Sequence, residues 1–199
     1  MSRIQCERCQ RPQSRCLCPL IPSLDSRTRV VLLQHPDEVR HALNTARLAA
    51  LGLSHAELRV GEVFDDLAAL IATPGYRVGL LFPGEQAQPL VAYAVDPDER
   101  PWLLIVPDGT WRKARKLLYL NPLLDALPRV TLASVQPSRY RLRKAPEEGA
   151  LSTLEAVTQA LNALEGAGRF DELLKPFDAL IEGQIEAMGR ETFERNHLR

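Results

Sequence analysis

The apolar run Leu103-Leu-Ile-Val106, closed by Pro107-Asp108-Gly109-Thr110, constrains the fold more than any other stretch. An apolar run without alternation fits a strand buried on both faces, as in a parallel sheet. Pro107 brings no N–H to a ladder and predicts that the strand ends there. Gly109 permits a sharp turn, and Thr110 can cap a helix running from Trp111 to about Leu120, which Asn121-Pro122 breaks. Asp108 is thereby placed at the carboxyl end of a strand, where open α/β sheets bind ligands. Trp111 and the cations Arg112, Lys113, Arg115 and Lys116 follow at once. An acid, a stacking ring and a phosphate-binding face this close together are more than packing requires.

The same strand–turn–helix grammar recurs. Arg29-Val-Val-Leu-Leu33 reads as a buried strand ended by Gln34-His35-Pro36. A helix is predicted over about Asp37 to Leu51, with apolar positions Val39, Leu43, Ala46 and Ala50 and Gly52 as its C-terminal cap. Asn44 and Thr45 are poor helix formers within it. Spacing favours solvent exposure for both over a reading in which they face a ligand. Ala56 to Val60 is a second short strand, Phe64 to Ile71 a short helix, and Arg77 to Phe82 a third strand. That strand runs into Pro83-Gly84, where a glycine lets backbone approach a ligand. The chain lacks both the Gly-x-Gly-x-x-Gly and the Walker patterns, which argues against a nicotinamide Rossmann enzyme and a P-loop nucleotidase. Val91 to Val95 is ambiguous between strand and helix, and Arg129 to Leu132 is a further strand. Alternating strands and helices define an α/β protein with a mainly parallel sheet flanked by helices.

Residues 1–24 follow different rules and form a predicted module beside an α/β body spanning 25–199. All four cysteines of the chain stand here, as Cys6-x-x-Cys9 and Cys16-x-Cys18. The segment has no hydrophobic periodicity and cannot bury a core of its own, so it needs a staple. Four thiolates at close spacing suit structural, tetrahedral zinc with no open position for substrate. Two disulfides or an iron–sulfur cluster are the alternatives. A reducing cytosol favours zinc.

Two later segments bear on function. Ser138-Arg-Tyr-Arg-Leu-Arg-Lys144 interleaves Arg139, Arg141, Arg143 and Lys144 with Tyr140 and contains no acid. Composition fits a charged edge strand and an RNA contact equally. Ser152-Thr-Leu-Glu155 fits a capping box, so a helix starts there and runs to about Leu164. Its first turn, at Ser152 and Thr153, offers N–H groups suited to a carboxylate. From Asp171 an amphipathic helix runs through Phe177, Ile181 and Met188 and closes either the sheet or a dimer face.

Net charge is zero, with 25 acids against 25 Lys plus Arg, so any anionic partner must be held by local patches. No apolar run approaches the roughly 18 residues of a membrane span. With no signal-like N-terminus, a cytoplasmic protein is expected. Monomer and homodimer stay equally open.

These pieces together resemble the DTW-domain family. The resemblance rests on Cys6-x-x-Cys9-x-Arg-Pro-x-x-x-Cys16-x-Cys18, on Gln34-His35-Pro36 with Asn44-Thr45, and on Leu81-Phe82-Pro83-Gly84. It centres on Asp108-Gly109-Thr110-Trp111 with its basic continuation, and includes Tyr140-Arg-Leu-Arg143 and Leu151-Ser-Thr-Leu-Glu155. It implies an S-adenosylmethionine-dependent aminocarboxypropyltransferase of the bacterial tRNA type. Such enzymes transfer the 3-amino-3-carboxypropyl group to N3 of a uridine, here expected in the tRNA variable loop, and release methylthioadenosine. The implied fold is a SPOUT-like α/β knot, which sequence physics alone would not suggest.

On that reading Asp108, Thr110 and Trp111 are the catalytic candidates. Asp108 serves either as the base for the uridine imide or as a holder of the co-substrate's amino group. Leu81, Phe82, Pro83, Gly84, Asp108, Ser152 and Thr153 are the co-substrate candidates. Arg112, Lys113, Arg115, Lys116, Arg139, Tyr140, Arg141, Arg143 and Lys144 are the tRNA contacts, extended by Arg8, Arg11 and Arg15 of the cysteine segment. Trp111 either stacks on a base or buttresses the core. The rivals are the same chemistry on rRNA, a methyltransferase on a similar fold, and a zinc-stabilised RNA-binding module without catalysis.

Overall fold

The structure is a computed structural model that describes residues 4–93, 98–133, 138–139 and 151–197. Six strands form one all-parallel sheet: β1 Arg29–Gln34, β2 Ala56–Val60, β3 Arg77–Leu81, β4 Gln88–Pro89, β5 Trp102–Asp108 and β6 Arg129–Thr131. Their spatial order is β2-β1-β5-β3-β6-β4. The helices are α1 Ala46–Gly52, α2 Leu67–Ile71, α3 Trp111–Leu120, α4 Pro122–Asp125, α5 Thr153–Glu165, α6 Lys175–Met188 and α7 Arg190–His197.

β1 and β5 are covered on both sides, which explains their unbroken apolar runs. Alternate side chains go to opposite faces. Val30, Leu32, Leu104 and Val106 pack with α1, α5 and α6 in one cluster, which contains Phe170 and Phe177. Val31, Leu33, Leu103 and Ile105 pack with α2, α3 and α4 in the other. The crossover from β1 through α1 leads outward to β2, whereas that from β5 through α3 leads the opposite way to β6. Adjacent strands whose crossovers diverge open a crevice at their carboxyl ends. Gln34 and Asp108 stand there as register partners of β1 and β5.

Three expectations need correction. β5 does not stop at Pro107 but continues to Asp108, whose carbonyl accepts a bond from the His35 N–H. The Asp108 carbonyl faces β1, so alternation turns Pro107 toward the β3 side. Pairing with β3 ends at Ile105, so no neighbour there requires the missing donor. The helix predicted from Asp37 is also wrong over most of its length. A 3-10 turn occupies Pro36–Glu38, and α1 starts only at Ala46. The Asn44 side-chain amide donates to the Glu38 and Val39 carbonyls, which a helix would have used for Ala42 and Leu43. Asn44 and Thr45 are accordingly 8% and 7% exposed, not solvent-facing.

Other elements match expectation with shifted ends. Of the ambiguous segment Val91 to Val95, the first three residues belong to a 3-10 turn over Leu90–Tyr93, and Ala94 and Val95 lie outside the described residues; the short β4 before it carried no periodic signal. Ser152 and Glu155 form the full capping box of α5. The amphipathic helix from Asp171 begins as a 3-10 turn and becomes α6 at Lys175.

Candidate active site and candidate metal centre

Asp108 leaves β5 on the α5 side of the sheet and is 7% exposed. Its Oδ2 accepts a 2.7 Å bond from Gln34 Nε2, and its Oδ1 accepts from the Thr153 hydroxyl at the first position of α5. Gln34 and Asn44 exchange amide bonds of 3.2 and 3.3 Å, so Gln34 is held from behind. Asn44 Oδ1 also accepts from the Arg47 N–H at 3.2 Å. A buried carboxylate is thus fixed by β1 and α5, two elements distant from it in sequence. Burial pushes the Asp108 carboxyl pKa up, against the lowering pull of its bonds from Gln34 and Thr153, with Glu38 adding to the rise. A carboxylate so placed is a stronger base than one in water.

Gln34 was visible in sequence as the residue ending an apolar strand and as part of the Gln34-His35-Pro36 motif, with no role assigned to its side chain. Its partnership with Asp108 depends on β1 lying beside β5 in register, which local pattern does not encode. The α5 N-terminus, expected to grip a substrate carboxylate, already faces a carboxylate of the chain. Thr153 bonds Asp108, and the Ser152 hydroxyl donates to Glu155 at 2.8 Å as part of the cap. Glu155 also accepts from Ser138 Oγ and the Arg139 N–H.

Trp111 goes elsewhere. It packs half-buried on the second core cluster, its ring edge-to-face with Phe82 at 5.7 Å between centroids. Asp108 and Trp111, three positions apart, therefore serve opposite faces of the sheet. Thr110 caps α3 by accepting from the Lys113 N–H. Gly109 joins them at φ 153°, a conformation that favours glycine, with the Lys113 Cβ only 3.0 Å from where a side chain would begin. Leu81 and Phe82 are buried in different clusters. Pro83 and Gly84 are exposed, and the Arg129 guanidinium lies 2.8 Å from where a Gly84 Cβ would stand.

The predicted cations divide. Lys113 pairs with Glu38 at 2.8 Å, and Lys116 with Glu62 at 2.8 Å. Lys116 is the first cause of a lowered Glu62 pKa, and Glu62 also meets His35 Nε2 at 2.8 Å. Arg139 pairs with Asp178 of α6. Arg112 and Arg115 are exposed and meet no acid among the described residues. Tyr140, Arg141, Arg143 and Lys144 lie outside the described residues.

The cysteine segment folds as two turns. Cys6 to Arg11 closes a loop through the Gln10 N–H to the Cys6 carbonyl and the Cys6 N–H to the Arg11 carbonyl, with Gln10 at φ 56°. A second pair of 3-10 turns, Gln13–Arg15 and Cys18–Leu20, returns Cys16 and Cys18. All four sulfurs lie within 4.8 Å of one another, Cys6 to Cys18 at 3.6 Å and Cys9 to Cys16 at 3.8 Å. Disulfides would need about 2.05 Å. Tetrahedral zinc with Zn–S near 2.3 Å sets its sulfurs about 3.8 Å apart, so the donor set fits one such ion. Amides of Cys9 and Arg8 lower the Cys6 thiol to about 6, while burial pushes Cys18 up to about 12. The segment is anchored by Leu17 in the first core cluster. Arg11 bonds the Ala42 and Asn44 carbonyls, and Arg15 bonds the Gly183 carbonyl.

An α/β sheet with a buried acid at its switch point and a four-cysteine cluster beside it defines the class. The family model described as the DTW domain matches residues 3–185. The chain belongs to the DTW-domain family. Its relatives include "tRNA-uridine aminocarboxypropyltransferase 2" of Macaca fascicularis, 32% identical over 98% of this chain and 68% of that protein. The Drosophila melanogaster protein of that name is 34% identical over 92% of this chain and 76% of its own length. "tRNA-uridine aminocarboxypropyltransferase A" of Arabidopsis thaliana is 28% identical over 82% of this chain and 73% of its own. The likeness therefore extends to animal and plant proteins. No solved structure gives a significant match. Among the described residues no helix is long and apolar enough to cross a membrane.

Proposed function

We propose that this protein is an S-adenosylmethionine-dependent tRNA-uridine aminocarboxypropyltransferase with Asp108 at its reacting centre. The observation that carries the reading is the buried Asp108 carboxylate, held by Gln34 and Thr153 at the switch point of the sheet. The names of the relatives supply the reaction and the RNA class.

Uridine N3 is an imide nitrogen and attacks well only as its proton leaves. Asp108 accepts that proton, and its raised pKa suits the task. The N3 electron pair forms the new N–C bond at the γ carbon. The C–S bond breaks with its electrons going to sulfur, and neutral methylthioadenosine leaves without needing an acid. Choosing the aminocarboxypropyl carbon over the methyl is a matter of positioning. Leu81 to Gly84 and the α5 N-terminus at Ser152 and Thr153 flank the crevice and are the candidate walls for the co-substrate. Arg112 and Arg115, exposed and without an acid among the described residues, are the candidate tRNA contacts of α3. Residues 1–24 act as a zinc module seated on the body formed by 25–199, and its zinc is structural.

The test is incubation of the protein with unmodified tRNA and S-adenosylmethionine, followed by mass analysis of the nucleosides. A uridine heavier by one aminocarboxypropyl group is expected, with methylthioadenosine in equal amount. A methylated nucleoside, or no change in any nucleoside, would overturn the reading.

A further inference from the structure

We infer that the groove between the cysteine module, the His35–Thr45 loop and α6 is a track for the RNA sugar–phosphate backbone, with Arg40 and Arg47 as its phosphate contacts. The inference rests on the reading that the substrate is RNA and adds to it where the strand lies.

The groove has a volume of about 1720 Å³ and is partly open to solvent. Small-molecule sites are closed clefts of roughly 300–1,000 Å³, so this space suits an extended polymer better than a nucleoside alone. Four arginines line it although the chain as a whole is neutral, while Cys6, Cys9 and Cys16 of the candidate metal centre form part of the module's wall. Arg11, Arg15, Arg40 and Arg47 line it against two acids, Glu7 and Glu186. The bond of Arg15 goes to a main-chain carbonyl, which orients the guanidinium, and no acid among the described residues pairs with it. Arg40 is exposed and, among the described residues, has no acid within ion-pair distance. Arg47 is half-buried, likewise meets no acid there, and its Nε is buried without an acceptor. A buried donor left without an acceptor is costly to keep. Its persistence beside a groove points to a role in recognition, and a planar guanidinium suits phosphate oxygens.

The groove also leads to the candidate centre. Asn44 lines it, and the Asn44–Gln34–Asp108 hydrogen-bond chain runs from its wall to the carboxylate. A strand gripped by its phosphates along this path would deliver an unstacked uridine toward Asp108. Arg40 and Arg47 contrast with Lys113, Lys116 and Arg139, which spend their charge on acids of the chain itself.

The experiment measures binding of unmodified tRNA to the full-length protein over a series of salt concentrations, comparing wild type with the double variant Arg40→Gln/Arg47→Gln. Loss of two phosphate contacts should weaken binding about tenfold and lower the slope of log affinity against log salt by about 1.5. Affinity for S-adenosylmethionine should stay within twofold. In the wild type, bound tRNA should slow phenylglyoxal modification of Arg40 and Arg47 but not of Arg100 at the opposite end of the sheet, a readout that needs no variant to fold. Unchanged tRNA affinity and slope in a double variant that still transfers would overturn the groove and leave the transferase reading intact. Lost S-adenosylmethionine affinity with tRNA binding unchanged would overturn it too, by placing these arginines on the co-substrate. A wild type that neither binds nor modifies tRNA would overturn both.

Discussion

Asp108 and Lys116 begin and end one short stretch, yet the fold treats them oppositely. Asp108 is drawn inward, loses water and keeps a carboxylate that, among the described residues, only neutral donors touch. Lys116 stays half-exposed on α3 and is answered by Glu62. The difference shows where the sheet concentrates chemical potential. A charge without a counter-charge in a dry site is reactive, whereas a charge with a partner at the surface is solvated and nearly silent.

The largest effect that can break this contrast is Asp108→Asn. Transfer should fall by roughly 10²–10⁴-fold or to nothing. Stability should hold or rise. Burial raises the pKa of Asp108 in the folded state, so the fold binds its proton more tightly than the unfolded chain does. Ionisation therefore costs stability as pH climbs from the ordinary Asp value of about 3.9 through the raised one. Asparagine removes that cost and can still accept from Gln34 while donating to the Thr153 hydroxyl. Thermal melts and single-turnover assays on one preparation check both halves, and wild-type turnover in the variant would sink the assignment.

Metal removal is next in size. Chelation should extract one ion per chain and loosen residues 4–20 while the sheet persists. A loss of about 2 kcal/mol would lower the melting temperature by roughly 4–8 °C. Elemental analysis that finds no stoichiometric metal would contradict a zinc module.

Smallest is Lys116→Gln. Both partners of its pair are more than a third exposed, so solvent screens the interaction and stability should change by less than about 1 kcal/mol. Its effect on the salt dependence of tRNA binding should be smaller than that of Arg112→Gln or Arg115→Gln, neither of which has an acid to release among the described residues. A larger effect from Lys116 would mean that Glu62 gives it up to RNA.

The sequence made the local parts legible because local chemistry decides them. Thr110 and Ser152 cap helices by hydroxyls that side-chain type alone announces. The apolar runs of β1 and β5 reveal a doubly covered sheet, and Cys spacing reveals the cluster. What stayed hidden is long-range. Gln34 meets Asp108 through strand register, across 74 positions. Glu38 and Glu62 neutralise Lys113 and Lys116 from loops that periodicity does not place beside α3. Asn44 defeated the helix expected from Asp37 because it takes the carbonyls such a helix needs. Trp111 read as an equal choice between base and core, and its ring rests on Phe82.

The most direct test of Asp108 as the reacting carboxylate is the pH dependence of single-turnover transfer in wild-type protein saturated with both substrates. Full rate is expected at neutral pH, with a one-proton loss as pH falls. Its midpoint should lie above the ordinary carboxylate range and be absent from the residual rate of Asp108→Asn. A rate independent of pH through that region, or the same midpoint in the variant, would contradict the assignment.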